Sequence, residues 1–347
     1  MSPKVSIIIP VYNGAKTLRR CLESVLSQSW GELEVLCIND GSTDGTASVL
    51  LEMASADQRV RLYGFEKNQG LVLAVKMGLL EASGDYVMFV DADDRLLPGA
   101  IENTVRLIEQ YGVDVLQFNV KASVLPGNGL DDAVWRKHLT SKDLRAEGLN
   151  ILYDCFAFHR FPHSIWNKIY RKDVYRAAAA AMPDLKLSQA ADVLQTFFFL
   201  YYAKTFQSVT SEPFYEYFIG NGISTQAPTA SQFEKICLAS EILPAIKEFL
   251  RDRHEYASHR FLVESIGTLL KSNVLSKLLK LPEITAETIE LAVKHWGSDL
   301  IYEFIRETGL LDVPCETRRG IVTKLAGENR KLRNNQTTIT ISNTKGI

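Results

Sequence analysis

Residues 5–14, Val5-Ser6-Ile7-Ile8-Ile9-Pro10-Val11-Tyr12-Asn13-Gly14, decide the reading of the fold. The short β-branched run stopped by Pro10 reads as a buried parallel strand. Leu18, Cys21, Leu22, Val25 and Leu26 then recur at helical spacing, and Glu34–Asn39 (EVLCIN) is a second buried strand. A polar turn, Asp40-Gly41-Ser42-Thr43-Asp44, follows, and Ser42, Thr43 or Asp44 can cap the next helix. Outward from there the alternation continues. Strands are expected at Val60–Tyr63, Tyr86–Val90 and Val115–Val120. Helices are expected over Leu71–Ala82, broken by Gly84-Asp85, and from Pro98-Gly99 to Tyr111. Strands alternating with helices predict an α/β fold: an open, mostly parallel sheet with helices on both faces.

Further along, Leu125–Asp132 (LPGNGLDD) is turn-rich and reads as a loop over a site or a seam between sub-domains. Trp166–Tyr170, Phe206–Val209 and Phe214–Ile219 are strand-like, and Ala190–Ala203 is helical. From Phe233 to about Arg333 the pattern is helical, with a break at Pro282, and Asn334–Ile347 is polar and expected to fray. The expected organisation is therefore 1–225 as the sheet-bearing domain, 226–333 as a C-terminal helical region and 334–347 as a flexible tail.

Composition bounds the function. A chain of 347 residues with 46% hydrophobic and 23% charged residues is an ordinary globular protein of about two domains. The net charge of -2 argues against a nucleic-acid binder. Cysteines at 21, 37, 155, 237 and 315 form no CxxC pair and fit reduced thiols in a cytoplasmic protein. The opening Met-Ser-Pro-Lys has no signal-peptide layout. The densest apolar stretch, Phe197–Ala203, is far too short to span a bilayer. A peripheral contact with the inner face of the membrane stays open. Phe261–Leu281 mixes apolar residues with Lys271, Lys277 and Lys280, and Arg318, Arg319, Lys324, Arg330, Lys331 and Arg333 form a basic stretch. A helical core and a solvated helix face are the plainer readings of these two stretches.

Three clusters carry chemistry. The first joins Pro10-Val11-Tyr12-Asn13 with Asp40-Gly41-Ser42, both at the carboxyl ends of strands, where open parallel sheets bind ligands. Tyr12 could cover a nucleobase and Asp40 could accept a ring N–H; two ordinary strand-to-helix turns are the alternative. The second is Asp91-Ala92-Asp93-Asp94 after the fourth strand. Asp91 and Asp93, two apart in extended chain, face one way, and a like-charge pair calls for Mg²⁺ or Mn²⁺ with substrate phosphates, unless the segment is a solvated acidic turn. The third is Asp192 at the start of an apolar helix, either a cap or a general base for an acceptor hydroxyl.

Neighbouring motifs fail. The first turn has only Gly14 where a dinucleotide fold needs G-x-G-x-x-G, and Gly14-Ala15-Lys16-Thr17 is not a P-loop. Position 12 of a calcium loop begun at Asp40 would be Leu51. A dehalogenase-type phosphatase would carry its D-x-D on the first strand, without Asp94-Arg95 after it. His159 and His163 are four apart, but Pro162 intervenes; His163 stays a weak candidate for an extra metal ligand.

Together the ordered strings VSIIIPVYNG, INDGSTDGT, Asn68-Gln69-Gly70, Gly84-Asp85-Tyr86, VDADD, Trp166-Asn167-Lys168-Ile169-Tyr170-Arg171, Asp184 to Asp192 and Tyr215-Glu216-Tyr217 resemble the family 2 glycosyltransferases with the GT-A fold, over roughly residues 4–225. The resemblance implies inverting transfer of a sugar from a nucleotide-diphospho-sugar, UDP-sugar favoured, to a glycan or lipid-linked acceptor, as in bacterial surface polysaccharide, lipopolysaccharide or capsule synthesis. It implies that Pro10, Tyr12, Asn13, Asp40 and Ser42 form the nucleoside pocket, with Gly70, Asp91 and Ala92 beside the nucleotide-sugar. It further implies that Asp93, with Asp91 as a second candidate, holds a Mn²⁺ or Mg²⁺ cofactor, that Asp192 is the base, and that Trp166 and Lys168 lie near the acceptor or the diphosphate.

Two departures stand out. Ala191 occupies a position where the family often has Glu, and Ala74-Val75-Lys76 stands where Ala-Arg-Asn is common, leaving Lys76 or Lys67 to replace a diphosphate-facing Arg. They keep open a catalytically silent nucleotide-sugar binder. A sugar-1-phosphate nucleotidyltransferase is disfavoured, because the first strand is not followed by a Gly-rich phosphate loop.

Overall fold

The computed structural model describes residues 2–124, 142–220, 228–282 and 284–297. Described residues within Met1–Gln226 and Glu241–Ile266 form one compact unit, and those within Ala227–Ser240 and Gly267–Ile347 form a second. Residues 241–266 thus sit with the sheet-bearing unit, whereas the sequence reading drew one line at 225/226. The turn-rich 125–132, the basic stretch 318–333, the tail 334–347 and Cys315 lie outside the described residues.

In the first unit, β1 (Val5–Val11), β2 (Leu33–Asp40), β3 (Val60–Phe65) and β4 (Tyr86–Phe89) alternate with α1 (Leu18–Leu26), α2 (Thr46–Ala56) and α3 (Leu71–Glu81). Then come β5 (Arg95–Leu96), α4 (Ala100–Tyr111), β6 (Val115–Gln117), β7 (Val120–Val124), β8 (Leu144–Glu147) and α5 (Leu149–Phe156). The unit continues through β9 (Lys168–Arg171), α6 (Lys172–Ala181), α7 (Ala191–Tyr202), β10 (Thr205–Ser208) and β11 (Tyr215–Ile219), and takes in α9 (Ile242–Asp252), which follows α8 (Ala230–Cys237) of the second unit.

The main sheet runs β3-β2-β1-β4-β9-β6-β10-β8, and a small sheet runs β5-β11-β7. β1 pairs in parallel with both β2 and β4, so three strand ends open on one edge. β9 and β8 run against their neighbours, an admixture that the strand–helix alternation did not reveal. β1 is buried throughout, as its continuous apolar run requires. Pro10 falls beyond Ile8, the last β1 residue paired to β4, where its missing N–H costs nothing on that side.

Helices cover both faces. α3 packs on the Ile8/Ile38 face, where a Cβ on Gly78 would stand 2.6 Å from Ile8. α1 brings Cys21 close to Cys37 on the other face. The expected strand Val115–Val120 divides at Phe118-Asn119, because Phe118 N–H donates to the Asn167 carbonyl (3.1 Å) and the chain then leaves for the small sheet. The four described cysteines are free and buried.

The second unit has its own core. Phe233, Ile236, Cys237, Val274, Leu278, Leu281, Ile289 and Ala292 cluster around α8, the last turns of α10 (Arg260–Leu279) and α11 (Ala286–Trp296). The apolar positions of 261–281 are thus largely inside. No helix among the described residues is long and apolar enough to cross a membrane.

At the edge away from the open strand ends, Glu34 is 4% exposed. It accepts hydrogen bonds from Ser6 Oγ (2.6 Å) and Ser83 N–H (2.7 Å) and pairs with Lys4 (2.9 Å). Burial pushes this carboxyl up, but the donors Ser6, Lys4 and Ser83 outweigh it and hold the group at about 2, below its ordinary 4.5. A depressed folded value means stability that is present above pH 4.5 and lost as pH falls toward 2. Glu34→Gln should cost on the order of 2 kcal/mol at pH 7 and flatten acid unfolding between those limits. Urea melts at pH 7 and pH 3 check this; an equal difference between variant and parent at both pH values would remove the role.

Candidate active site

The loops after β1 and β2 are stapled by side chains. Asn13, in left-handed backbone (φ 54°), donates its N–H to Ser42 Oγ (2.9 Å) and accepts from Thr43 N–H (2.8 Å). Gly14 N–H donates to Thr46 Oγ1 (2.9 Å). Gly41 (φ 65°) passes so near the next loop that a Cβ would lie 2.4 Å from the Asn68 nitrogen. Tyr12, 47% exposed at this rim, has its ring free to cover a flat ligand.

Asp40, the candidate acceptor for a ring N–H, also serves its own loops. Its carboxylate already accepts from Gln69 N–H (2.6 Å), Gly70 N–H (2.9 Å) and Asn68 Nδ2 (2.8 Å). It therefore clamps the Asn68–Gly70 loop to the end of β2. Burial raises its pKa, opposed by those N–H groups and by the Lys186 charge. Gly70 (φ 94°) lies under Leu187, whose carbonyl would be 2.6 Å from a Cβ.

At the end of β4 the acidic turn splits its labour. Asp94 is fully buried and accepts from Tyr215 Oη (2.8 Å) and Phe218 N–H (2.8 Å). Tyr215 Oη in turn accepts from Asp91 N–H (3.1 Å). The Asp93 carbonyl accepts from the guanidinium of Arg20, which lies over the Phe218 ring (3.9 Å). The Asp91 carboxylate meets no hydrogen-bond donor among the described residues. Burial, and then the charges of Asp94, Asp93 and Asp192, push it well above the carboxylate range. Burial also raises Asp93, against the pull of Arg20. Ala92 sits beside Gly14, whose added Cβ would meet Ala92 Cβ at 3.6 Å, so the β4 and β1 exits touch.

Asp192 joins this group from α7. Ala190 before it holds φ 55°, the left-handed region that alanine seldom adopts, and so turns the chain sharply into the helix. The Asp192 carboxylate, like that of Asp91, meets no donor among the described residues. Burial raises it to about 6, against the pull of Lys168.

Lys168 and Lys76, expected to face the diphosphate or the acceptor, are both committed internally. Lys168 is fully buried and donates Nζ–H bonds to Pro162 O (2.9 Å), Ser164 O (2.6 Å) and Asn167 Oδ1 (2.9 Å). Burial lowers it to about 7. Lys76 Nζ is tied to Met182 O (2.7 Å) and paired with Asp184. Lys67 is exposed and its ammonium is unpaired among the described residues.

Trp166 is 7% exposed, stacked on Tyr217 (5.2 Å, 4°) and Tyr215 (4.9 Å, 28°), and forms a wall rather than an open platform. His163 lies against Phe156 (6.2 Å), and burial and the Lys168 charge lower it to about 4. No group of three or more His, Cys, Asp or Glu side chains set to hold a metal occurs among the described residues, so His163 gains no support as a ligand.

Three contributors were given no role by the sequence reading. Tyr215, within a quoted motif, and Arg20 reach the β4 exit over 124 and 73 residues, a long-range pairing. Lys186 approaches Asp40 from the loop before α7. Chemically, Asp91 and Asp93 are neighbouring carboxylates short of counter-charge among the described residues, the residue type that could hold a divalent cation.

Residues 6–169 match the profile of the Glycosyl transferase family 2. It is 34% identical over 175 residues to the uncharacterized glycosyltransferase YibD of Escherichia coli K12, covering 49% of each chain. It is 31% identical over 178 residues to the glycosyltransferase GlyA of Streptococcus pneumoniae, covering 50% of this chain and 25% of GlyA. The chain thus spans half or less of these curated relatives. The crystal structure of S. aureus TarS 1-349 in complex with UDP-GlcNAc superposes with a TM-score of 0.53 at 20% identity, over 86% of this chain and 91% of that one. The fold is of the GT-A type.

Tyr215→Phe strips a hydroxyl that both Asp94 and the Asp91 N–H use. It should cost about 1–3 kcal/mol of stability, the usual cost of orphaned buried polar groups. Urea unfolding of the variant checks this, and an unchanged midpoint would show that the hydroxyl pins nothing.

Proposed function

We propose that this chain is an inverting glycosyltransferase that moves a sugar from a nucleotide-diphospho-sugar, UDP-sugar favoured, to a hydroxyl of a glycan or lipid-linked acceptor. The observation that carries the reading is the Asp192 carboxylate: half-buried, raised to about 6, without a donor among the described residues, and close enough to Asp91 for their charges to interact. A carboxylate so placed can take the acceptor's proton as its oxygen attacks the anomeric carbon from the face opposite the leaving diphosphate. The UDP-GlcNAc bound by TarS supports the donor class.

Each residue has a task in this scheme. Tyr12 covers the base, while Asn13 and Ser42 keep its loop in place and Asp40 holds the Asn68–Gly70 loop against it. Asp93 and Asp91 would hold a Mn²⁺ or Mg²⁺ ion, which when bound supplies Lewis-acid charge to the departing diphosphate. Lys67 and Lys186 are the exposed cations at this rim, whereas Lys76 secures the loop that leads to Asp192. Synthesis of a surface polysaccharide at the inner face of the cytoplasmic membrane is the setting in which such acceptors are used.

The internal commitment of Lys76 favours, as a second reading, a nucleotide-sugar binder without turnover. One experiment separates the two: UDP release from a panel of UDP-sugars with Mn²⁺ or Mg²⁺, with and without oligosaccharide acceptors. Asp192→Asn should lower transfer by about 10²–10⁴-fold while UDP still raises the melting temperature. Asp93→Asn or chelation should abolish the metal-dependent rate. Because the base must be ionised, kcat should fall about tenfold per unit below pH 6, the value burial sets for Asp192. Stabilisation by UDP without release from any donor would leave the silent binder standing, and full activity of both variants would overturn the assigned roles.

A further inference from the structure

A hollow of about 540 Å³ lies beside the edge strand β8 and helix α5, lined by Arg145, Glu147, Asn150, Asp154, Phe158 and Arg160. None of these belongs to the cleft just described, and its size is that of small-ligand sites in general. We propose that it is a second carbohydrate-binding site, which takes a neutral glycan. The choice of a sugar rests on the glycosyltransferase reading; the site itself rests on its own side chains.

Phe158 leaves 58% of its surface in solvent, and Phe261 leaves 56%. Tyr153 links these rings: it stacks on Phe261 (6.1 Å, 14°) and leans on Phe158 (6.4 Å, 32°). The Arg160 guanidinium also stands over the Phe158 ring (5.9 Å), so the ring is held by its neighbours, and its exposed part offers apolar surface at little cost in side-chain entropy.

The polar lining completes the chemistry. Arg160 pairs with Asp154 (3.3 Å), Arg145 pairs with Glu147 (3.2 Å), and the Asn150 amide meets no protein partner among the described residues. Planar groups therefore present donors and acceptors side by side, matching the vicinal hydroxyls of a pyranose whose C–H face rests on an aromatic ring. Because each arginine is neutralised by a carboxylate, the hollow has no excess positive charge for a phosphate or an anionic lipid headgroup. This decides for a neutral glycan over a membrane surface.

The same helix serves both sites. α5 turns Asn150 and Asp154 to the hollow, while Phe156 stacks on His163 and Cys155 lies close enough to Lys168 for their charges to interact. A glycan held here would be anchored one helix away from the residues around Asp192, so that the growing chain stays attached between transfers.

The test uses the full chain on an array of neutral oligosaccharides, with vesicles of phosphatidylglycerol and phosphatidylethanolamine as the competing surface. The expected result is retention of one or more neutral glycans, weakened roughly tenfold by Phe158→Ala and by Asn150→Ala, and unaffected by Asp192→Asn. Melting-temperature shifts with UDP should be the same in parent and Phe158→Ala, which shows that the variant folds and keeps its donor site. Retention of no neutral glycan, glycan binding that survives both hollow variants, or Phe158-dependent binding to the vesicles alone would each overturn the proposal. Loss of donor turnover with glycan retention intact would instead strike the catalytic reading and leave the hollow standing.

Discussion

Asp94 is the point on which the site depends. A fully buried carboxylate must find donors or cost several kcal/mol, and this one finds the Tyr215 hydroxyl and the Phe218 N–H, both on β11. The acidic turn of the main sheet is thereby fixed to the small sheet. Everything nearby takes its place from that bond: Tyr215 also holds the Asp91 N–H, Trp166 stacks behind Tyr215, and Arg20 lies over Phe218. The motif that reads as one acidic patch is thus two things, a structural anchor at its last residue and a pair of half-buried carboxylates at Asp91 and Asp93.

The anchoring explains why uncompensated charge can persist beside it. Asp91, Asp93 and Asp192 are crowded, and among the described residues Arg20 and Lys168 offset them. Left to itself such a group would spread apart or protonate. The β4 exit cannot spread because its backbone is fixed by Tyr215 and Arg20, and Asp192 cannot retreat because Ala190 turns the chain directly into α7. The strain of this left-handed alanine, on the order of 1 kcal/mol, is offset by the packing of a helix whose next turns are wholly buried.

What the amino-acid order revealed and what it hid follow from the range of the forces involved. The strands β1, β2 and β4 were legible because burial on both faces demands continuous apolar runs, and Pro10, Gly41 and Gly84 punctuate them. The antiparallel strand β9 was legible as a strand but not in direction, since orientation depends on partners far away in sequence. The division at Phe118-Asn119 was hidden because both halves have strand-like composition. At the site, the residue types drew attention to these loops, yet Asp40, Lys76 and Lys168 have polar atoms occupied by backbone and side chains 1 to 108 residues away. Charge on paper does not tell whether a group is spent on the protein itself; only the count of its partners does.

The small sheet is tied to the large one by more than Asp94. The chain crosses between them at Asp91-Asp94, from β5 through α4 to β6, at Phe118-Asn119 and between β10 and β11, and the Val209 and Phe214 N–H groups bond back to Gln117 (3.0 Å) and Asn119 (3.2 Å). Mechanically this makes a stiff jaw. To swing it, several shielded bonds would have to break together, so the acidic turn that lies between the two sheets keeps one shape while the looser parts of the chain fluctuate around it.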